Sequence, residues 1–199
     1  MTYFTSDLHL GHERTLETRR MFTSVDEMDA ALIANWNDRV TAGDLVMIVG
    51  DLMFRSKKSP EAYLSALNGK KVLIRGNHDA AWIDALGEYR MAYYFEGVYD
   101  MHLLDAGSVK LFLCHYPMIE WEHSRQGSLL ICGHLHGKKA EPPAQLFAKV
   151  PYAFNAGVDV NGMKPVTLAE MIQNNDRFYG SPLDKKQREE CLRRVRALP

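Results

Sequence analysis

Five short apolar runs punctuate the first two thirds of the chain, and each stops on a polar cluster. Tyr3-Phe4-Thr5 leads into Ser6-Asp7-Leu8-His9, Leu45-Val46-Met47-Ile48-Val49 into Gly50-Asp51, and Val72-Leu73-Ile74-Arg75 into Gly76-Asn77-His78-Asp79. Further on, Val109 to Cys114 leads into His115, and Leu129-Leu130-Ile131-Cys132 into Gly133-His134-Leu135-His136. Runs of this length without a 3.6-residue period predict buried strands. Helix signals lie between them. Ser24-Val25-Asp26-Glu27 reads as a capping box, followed by Met28, Ala31, Leu32, Asn35 and Trp36 on one face. Ser59-Pro60-Glu61 sets an N-cap before a proline at the first helical position, with Leu64 and Leu67 inward. A short helix is expected over 80–86, and another runs from the capping box Thr167-Leu168-Ala169-Glu170 to about Asn174. A last helix, about 182–198, starts at Ser181-Pro182 and carries Cys191, Leu192, Val195 and Leu198 as its apolar stripe. Asp105-Ala106-Gly107-Ser108 reads as a hairpin turn, Tyr93 to Cys114 shows no helix signal, and Pro142-Pro143 reads as a surface loop.

The order is β-α alternation in the first half and strand-rich in the second, an α/β pattern. In open α/β sheets ligands bind outside the carboxyl ends of strands, so five scattered clusters become one expected site. A length of 199 residues without a composition break reads as a single domain spanning 1–199. With 46% hydrophobic and 25% charged residues the composition is that of an ordinary globular chain. Lys plus Arg is 24 against 25 Asp plus Glu, which argues against a general nucleic-acid coat or an anionic-membrane binder. The three cysteines form no C-x-x-C pair, no apolar run approaches the ~20 residues of a membrane span, and the N-terminus lacks a signal-peptide pattern. The expected location is the cytoplasm. Oligomeric state is left open.

Eight histidines are present, and most stand in the strand-end clusters. Asp-x-His at a strand end offers two ligands to one cation, and Gly133-His134-Leu135-His136 offers a second spaced pair. The oxygen of Asn77 can ligate while His78 turns toward substrate. Counting Asp7, His9, Asp51, Asn77, His115, His134 and His136 gives seven ligands. If one carboxylate is shared, each of two ions receives four, the stoichiometry of a two-metal hydrolytic site. Nitrogen and oxygen donors without thiolate suit Mn, Fe, Zn, Co or Ni rather than Cu(I).

The ordered set D-x-H, GD, GNHD, H, GHxH resembles the calcineurin-like metallophosphoesterases. Its motifs run from residue 7 to residue 136, and Asn155 to Leu168 resembles that family's closing strand and helix. One departure is Cys114-His115, where the family usually has Gly-His. The resemblance implies a four-layer α/β/β/α sandwich. It also implies that Asp7, His9 and His136 hold one metal, that Asn77, His115 and His134 hold another, and that Asp51 bridges them. A bridging water or hydroxide would be the nucleophile. His78 would protonate the leaving oxygen, with Asp79 orienting it. The implied cofactors are two divalent ions, manganese first among them, and the implied substrate is a small phosphomonoester or phosphodiester, a nucleotide among the candidates. A nuclease of the same chemistry is less favoured, because 199 residues show no capping domain and no broad basic surface. A catalytically silent scaffold is the other alternative, and it would have no use for His78.

Three further residues are candidate substrate contacts: His12 beside the Asp-x-His pair, Arg55 just past Gly50-Asp51, and His123 in a loop with Trp121. His102 reads as structural. Arg14, Arg19 and Arg20 read as a solvated face, and Cys114 and Cys132 as small buried hydrophobes. The run Lys185-Lys186-Gln187-Arg188, continued by Arg193, Arg194 and Arg196, alternates with acids and reads as the wet face of a helix.

Overall fold

Val46 and Ile48 of strand β2 (Leu45–Val49) pack on one face of a sheet while Met47 and Val49 pack on the other. Both faces are buried, so the run is continuously apolar rather than alternating. With β1 (Thr2–Thr5), β3 (Lys70–Ile74) and β4 (Gly97–Tyr99) it forms a parallel sheet in the order β1-β2-β3-β4. A second sheet comprises β5 (Met101–Asp105), β6 (Lys110–Cys114), β7 (Leu129–Cys132) and β8 (Ala153–Asn155) in that order. Strands β5 and β6 are the antiparallel arms of the expected hairpin, and β6 to β8 are parallel. These are features of a computed structural model, which describes residues 1–196.

Helices α1 (Val25–Asn37), α2 (Pro60–Leu64), α3 (Ala80–Leu86) and α4 (Glu88–Tyr94) cover the outer face of the first sheet. Met28, Leu32, Trp36, Leu64 and Trp82 share a core there with Val46, Ile48 and Leu73. Between the sheets, Met47, Val49, Val72 and Ile74 join Leu111, Leu113, Leu129 and Ile131 in a second core. The outer face of the second sheet, with Phe112, Cys114, Leu130 and Cys132, is covered by Phe147 of α5 (Pro142–Phe147) and by Trp121 and Leu135 from loops. Helix α6 (Leu168–Tyr179) contacts both β1 and β8 and packs with α7 (Lys185–Arg196) along that edge. The architecture is the α/β/β/α sandwich that the family resemblance implies. Among the described residues no helix is long and apolar enough to cross a membrane.

Strand ends are level: Thr5 pairs with Ile48, Val49 with Ile74, and Cys132 with Asn155. Because every strand but β5 runs the same way within its sheet, the polar clusters leave along one rim of each sheet. Main-chain bonds continue past the strands, from Asp7 N to the Gly50 carbonyl and from Gly133 N to the His115 carbonyl (3.0 and 2.9 Å). The loops that carry the expected ligands are thereby held together.

Several boundaries differ from the sequence expectation. Helix α4 was not expected; it starts after Gly87 at φ 77°, and Met91 is its only buried residue, so no apolar stripe announces it. Pro142-Pro143 opens α5 instead of lying in a loop, since prolines fit the first turn of a helix and Ala144 and Phe147 supply its buried face. Helix α6 runs to Tyr179 rather than to about Asn174. Helix α7 starts at Lys185, three residues late, because Asp184 rather than Ser181 caps it: Gln187 N donates to the Asp184 carboxylate (2.8 Å) and Gln187 Oε1 accepts from Asp184 N (3.0 Å). Leu198 lies outside the described residues. Ser24 caps α1 as expected, but Glu27 returns its bond to Thr23 rather than to Ser24.

Candidate metal centre

The chain turns sharply as it leaves each strand. Nine non-glycine residues among those described have positive φ, and five of them are expected ligands: Asp7 (57°), His9 (51°), Asp51 (54°), His134 (70°) and His136 (50°). This left-handed conformation is sparsely populated for side-chain-bearing residues, and strain of this kind concentrates at functional sites. The motif glycines have a related cause. At Gly50 (φ 86°) a Cβ would run into the His115 ring, and at Gly133 it would run into Ser6 and the Asp7 carboxylate. Cys114 needs no such freedom, because it is the last extended residue of β6 and packs into the outer core.

Two clusters of candidate ligands result. Asp7, His9 and His136 present donor atoms within 4.8 Å of one another, and so do Asp51, His115 and His134. Asp51 joins them: its Oδ2 is 3.6 Å from His9 Nε2 and 3.4 Å from His115 Nε2. Asn77 adds an oxygen 3.1 Å from His115 Nε2. His115 Nδ1 donates to the Val49 carbonyl (2.9 Å), which turns Nε2 toward Asp51 and Asn77.

The donor chemistry fits divalent ions. His9 is buried with neither ring nitrogen hydrogen-bonded, and burial pulls its pKa down to about 3, so a neutral imidazole faces the cluster with an unused lone pair. Burial would lower His115 too, but the Asp51 and Asp7 carboxylates and the Val49 carbonyl outweigh it and hold it at about 9. Asp51 stays ionised: burial works against its charge, yet His115, the His78 amide and His9 bring its pKa to about 2. Metal cations would take over the charge balance that these protons now provide.

Two residues that sequence reasoning misjudged or missed complete the centre. Arg19, read as solvated, is 2% exposed. Its guanidinium donates to the carbonyls of Asp7 (2.6 Å) and Leu8 (2.7 Å) and to the Asp159 carboxylate (2.8 and 3.2 Å). Asp159 in turn lies 3.3 Å from His136 Nδ1, which directs Nε2 of that ring to the cluster. Asp159 follows the apolar run Ala153-Phe154, a sixth strand end of the kind already recognised, so its signal was present. Arg19 had none, because its partners are backbone carbonyls of the ligand loop.

Asp79 departs from its expected role. It is fully buried, and its carboxylate accepts from Asp51 N (2.9 Å), Leu52 N (3.0 Å), Gly76 N (2.8 Å) and Trp82 Nε1 (2.8 Å). It ties two ligand loops together rather than orienting the His78 ring. That ring stands 5.4 Å from His9 and 4.0 Å from Phe54, centre to centre. His12 lies 5.6 Å from His9 and 6.4 Å from His78, beside the centre. Arg55 is exposed, its guanidinium 5.0 Å above the Phe54 ring. His123 is not brought to the site. It caps the turn before β7 and shares a groove with Ser108 and Lys110, at the opposite end of the second sheet. His102 stacks on Tyr99 (4.3 Å) in the edge strands, away from the ligands.

A two-sheet α/β fold with paired histidine–carboxylate clusters on one rim defines a class of metal-dependent enzymes. The Calcineurin-like phosphoesterase family matches residues 2–138, and the chain belongs to it. Gene 66 protein of Mycobacterium phage L5 is 35% identical over 161 residues, covering 68% of this chain and 77% of that protein. An uncharacterized protein of Methanocaldococcus jannaschii is 31% identical over 174 residues, covering 86% and 89%. Among solved structures, a protein of unknown function from Aquifex aeolicus shares the fold with a TM-score of 0.64 at 24% identity, over 83% of this chain and 94% of that one.

Proposed function

We propose that this phosphoesterase is a dinuclear hydrolase of a small phosphomonoester or phosphodiester. The observation that carries the reading is the pair of clusters joined by the single carboxylate of Asp51. Asp7, His9 and His136 would hold one divalent ion, Asn77, His115 and His134 the other, and Asp51 both. Two such ions supply an acidified water and a clamp for the phosphoryl oxygens. The protein's own groups do the rest. Arg19 and Asp159 fix the ligand loop and the His136 tautomer, Asp79 holds the Asp51 loop against the Asn77 loop, and His78 stands free to give a proton to the leaving oxygen. Manganese is the ion to try first, as a hard-to-borderline cation suited to nitrogen and oxygen donors.

The test is to titrate metal-stripped protein with Mn²⁺ while following bound metal and the turnover of an aryl phosphomonoester and an aryl phosphodiester. Turnover that rises with uptake of about two ions per chain is expected for a shared two-ion site. Saturation at one ion, or full uptake without turnover of either ester, overturns the reading.

A further inference from the structure

Beside the metal centre runs a groove of about 480 Å³ whose walls include His12, Arg14, Arg55, Ser56 and Lys57. Its position relative to the ligands is fixed by main-chain bonds. His9 N donates to the Asp51 carbonyl (3.0 Å), Leu10 N to that of Leu52 (3.0 Å) and Phe54 N to that of Leu10 (3.2 Å), so both walls are direct continuations of ligand loops. A chain of rings leads from one site to the other: His9 to His78 at 5.4 Å, His78 to Phe54 at 4.0 Å, and the Arg55 guanidinium 5.0 Å above Phe54.

Several charges of the groove are already satisfied within the protein. Asp29 points inward and accepts from Gly11 N (3.0 Å) and Tyr63 OH (2.6 Å). Asp26 pairs with Lys58 (2.7 Å), and Arg14 lies 3.8 Å from Glu17. Among the described residues, Arg55 and Lys57 have no carboxylate partner, and Glu13 is the lining acid with neither a cation nor a hydrogen-bond donor on its carboxylate. His12 contributes a buried Nδ1 with no hydrogen-bond partner at the junction of groove and metal centre. Two unpaired cations on a wall that continues the ligand loops select an anion attached to the group being hydrolysed.

We infer that this groove is a subsite for a second phosphate of the substrate, one that is bound by Arg55 and Lys57 and not cleaved. The inference rests on the proposed phosphoesterase reading only for what occupies the metal centre.

Adenosine 3′,5′-bisphosphate and adenosine 5′-monophosphate are compared as ligands of the metal-stripped protein by calorimetry and as substrates of the Mn²⁺-loaded protein. The wild type is expected to favour the bisphosphate by about tenfold in both, the worth of one or two charge-assisted contacts. In the double variant Arg55→Ala, Lys57→Ala that ratio falls toward one, and in Glu13→Gln, which removes the unpaired acid, it rises. An unchanged ratio in the double variant overturns the subsite even if the esters are hydrolysed. A ratio that collapses in calorimetry while no ester is turned over retains the subsite and removes the phosphoesterase reading. A short single-stranded DNA as third ligand separates sources: preference that grows with strand length assigns the second phosphate to a nucleic-acid backbone, and preference that stops at the bisphosphate assigns it to a small molecule.

Discussion

His78 stands beside His9 and Phe54 with its ring directed by packing, while the neighbouring carboxylate of Asp79 is spent on three amides and the Trp82 indole. A proton donor in that position matters in proportion to how poor the leaving group is. His78→Ala is therefore expected to slow an alkyl phosphate ester about a hundredfold or more while slowing a p-nitrophenyl ester far less, with metal content unchanged. Equal losses on the two esters would remove the general-acid role. Asp159 acts one bond further out. Asp159→Asn keeps the volume but removes the carboxylate that His136 and Arg19 share, and weakening of metal binding by about 10–100-fold is expected. Metal titration followed by atomic absorption reads this directly, and unchanged affinity with intact circular dichroism would show that Asp159 serves packing alone.

At the scale of elements, β3 holds a charge where its pattern shows only a strand. Lys71 is 5% exposed, its ammonium bonded to the Gly69 carbonyl at 2.8 Å. Burial pulls its pKa from 10.5 to about 8. Between those two values the unfolded chain binds more protons than the folded one, so this residue makes stability rise as pH climbs through that window. Lys71→Met is expected to be more stable than the parent at pH 7 by about 1–3 kcal/mol, with the gap closing above about pH 10. Urea midpoints at the two pH values decide it, and a gap independent of pH would assign the effect to packing. The helices show a different limit on local reading. Helices α1 and α6 are announced by caps that satisfy their first amides, whereas α4 and α5 are held by one or two buried side chains each and so carry almost no pattern. Their boundaries follow from what the sheets leave uncovered.

For the molecule as a whole, the candidate metal centre joins loops from both sheets, so any metal it takes up is coupled to global stability. Each ion at about 100 times its dissociation constant adds about 2.7 kcal/mol to unfolding. Mn²⁺ is expected to raise the melting temperature and chelator to reverse the rise; a midpoint indifferent to metal would mean that the clusters bind nothing in the folded state. The three thiols report on the same packing. Cys114, Cys132 and Cys191 are buried, and burial lifts all of them, Cys191 to about 11. They are expected to resist a disulfide reagent in the native protein and to react as three equivalents in denaturant. One fast equivalent in the folded state would expose a loose layer over the second sheet.

The strands, their polar exits and the family were legible in the sequence because each is written locally: an apolar run fixes a buried strand, and the residues that follow it carry the chemistry. The meeting of the expected ligands was legible for the same reason, since parallel strands must bring their carboxyl ends to one rim, and the two groups Asp7, His9, His136 and Asp51, His115, His134 do each lie together. Only the tertiary structure decided which residues serve that set from a distance. Arg19 reaches Asp7, Leu8 and Asp159 across the fold, Asp79 turns from its neighbour to a loop 28 residues away, and His123 falls at the far end of its sheet. Hydrogen bonds of this kind depend on where loops from different strands meet, and spacing along one chain carries no record of that.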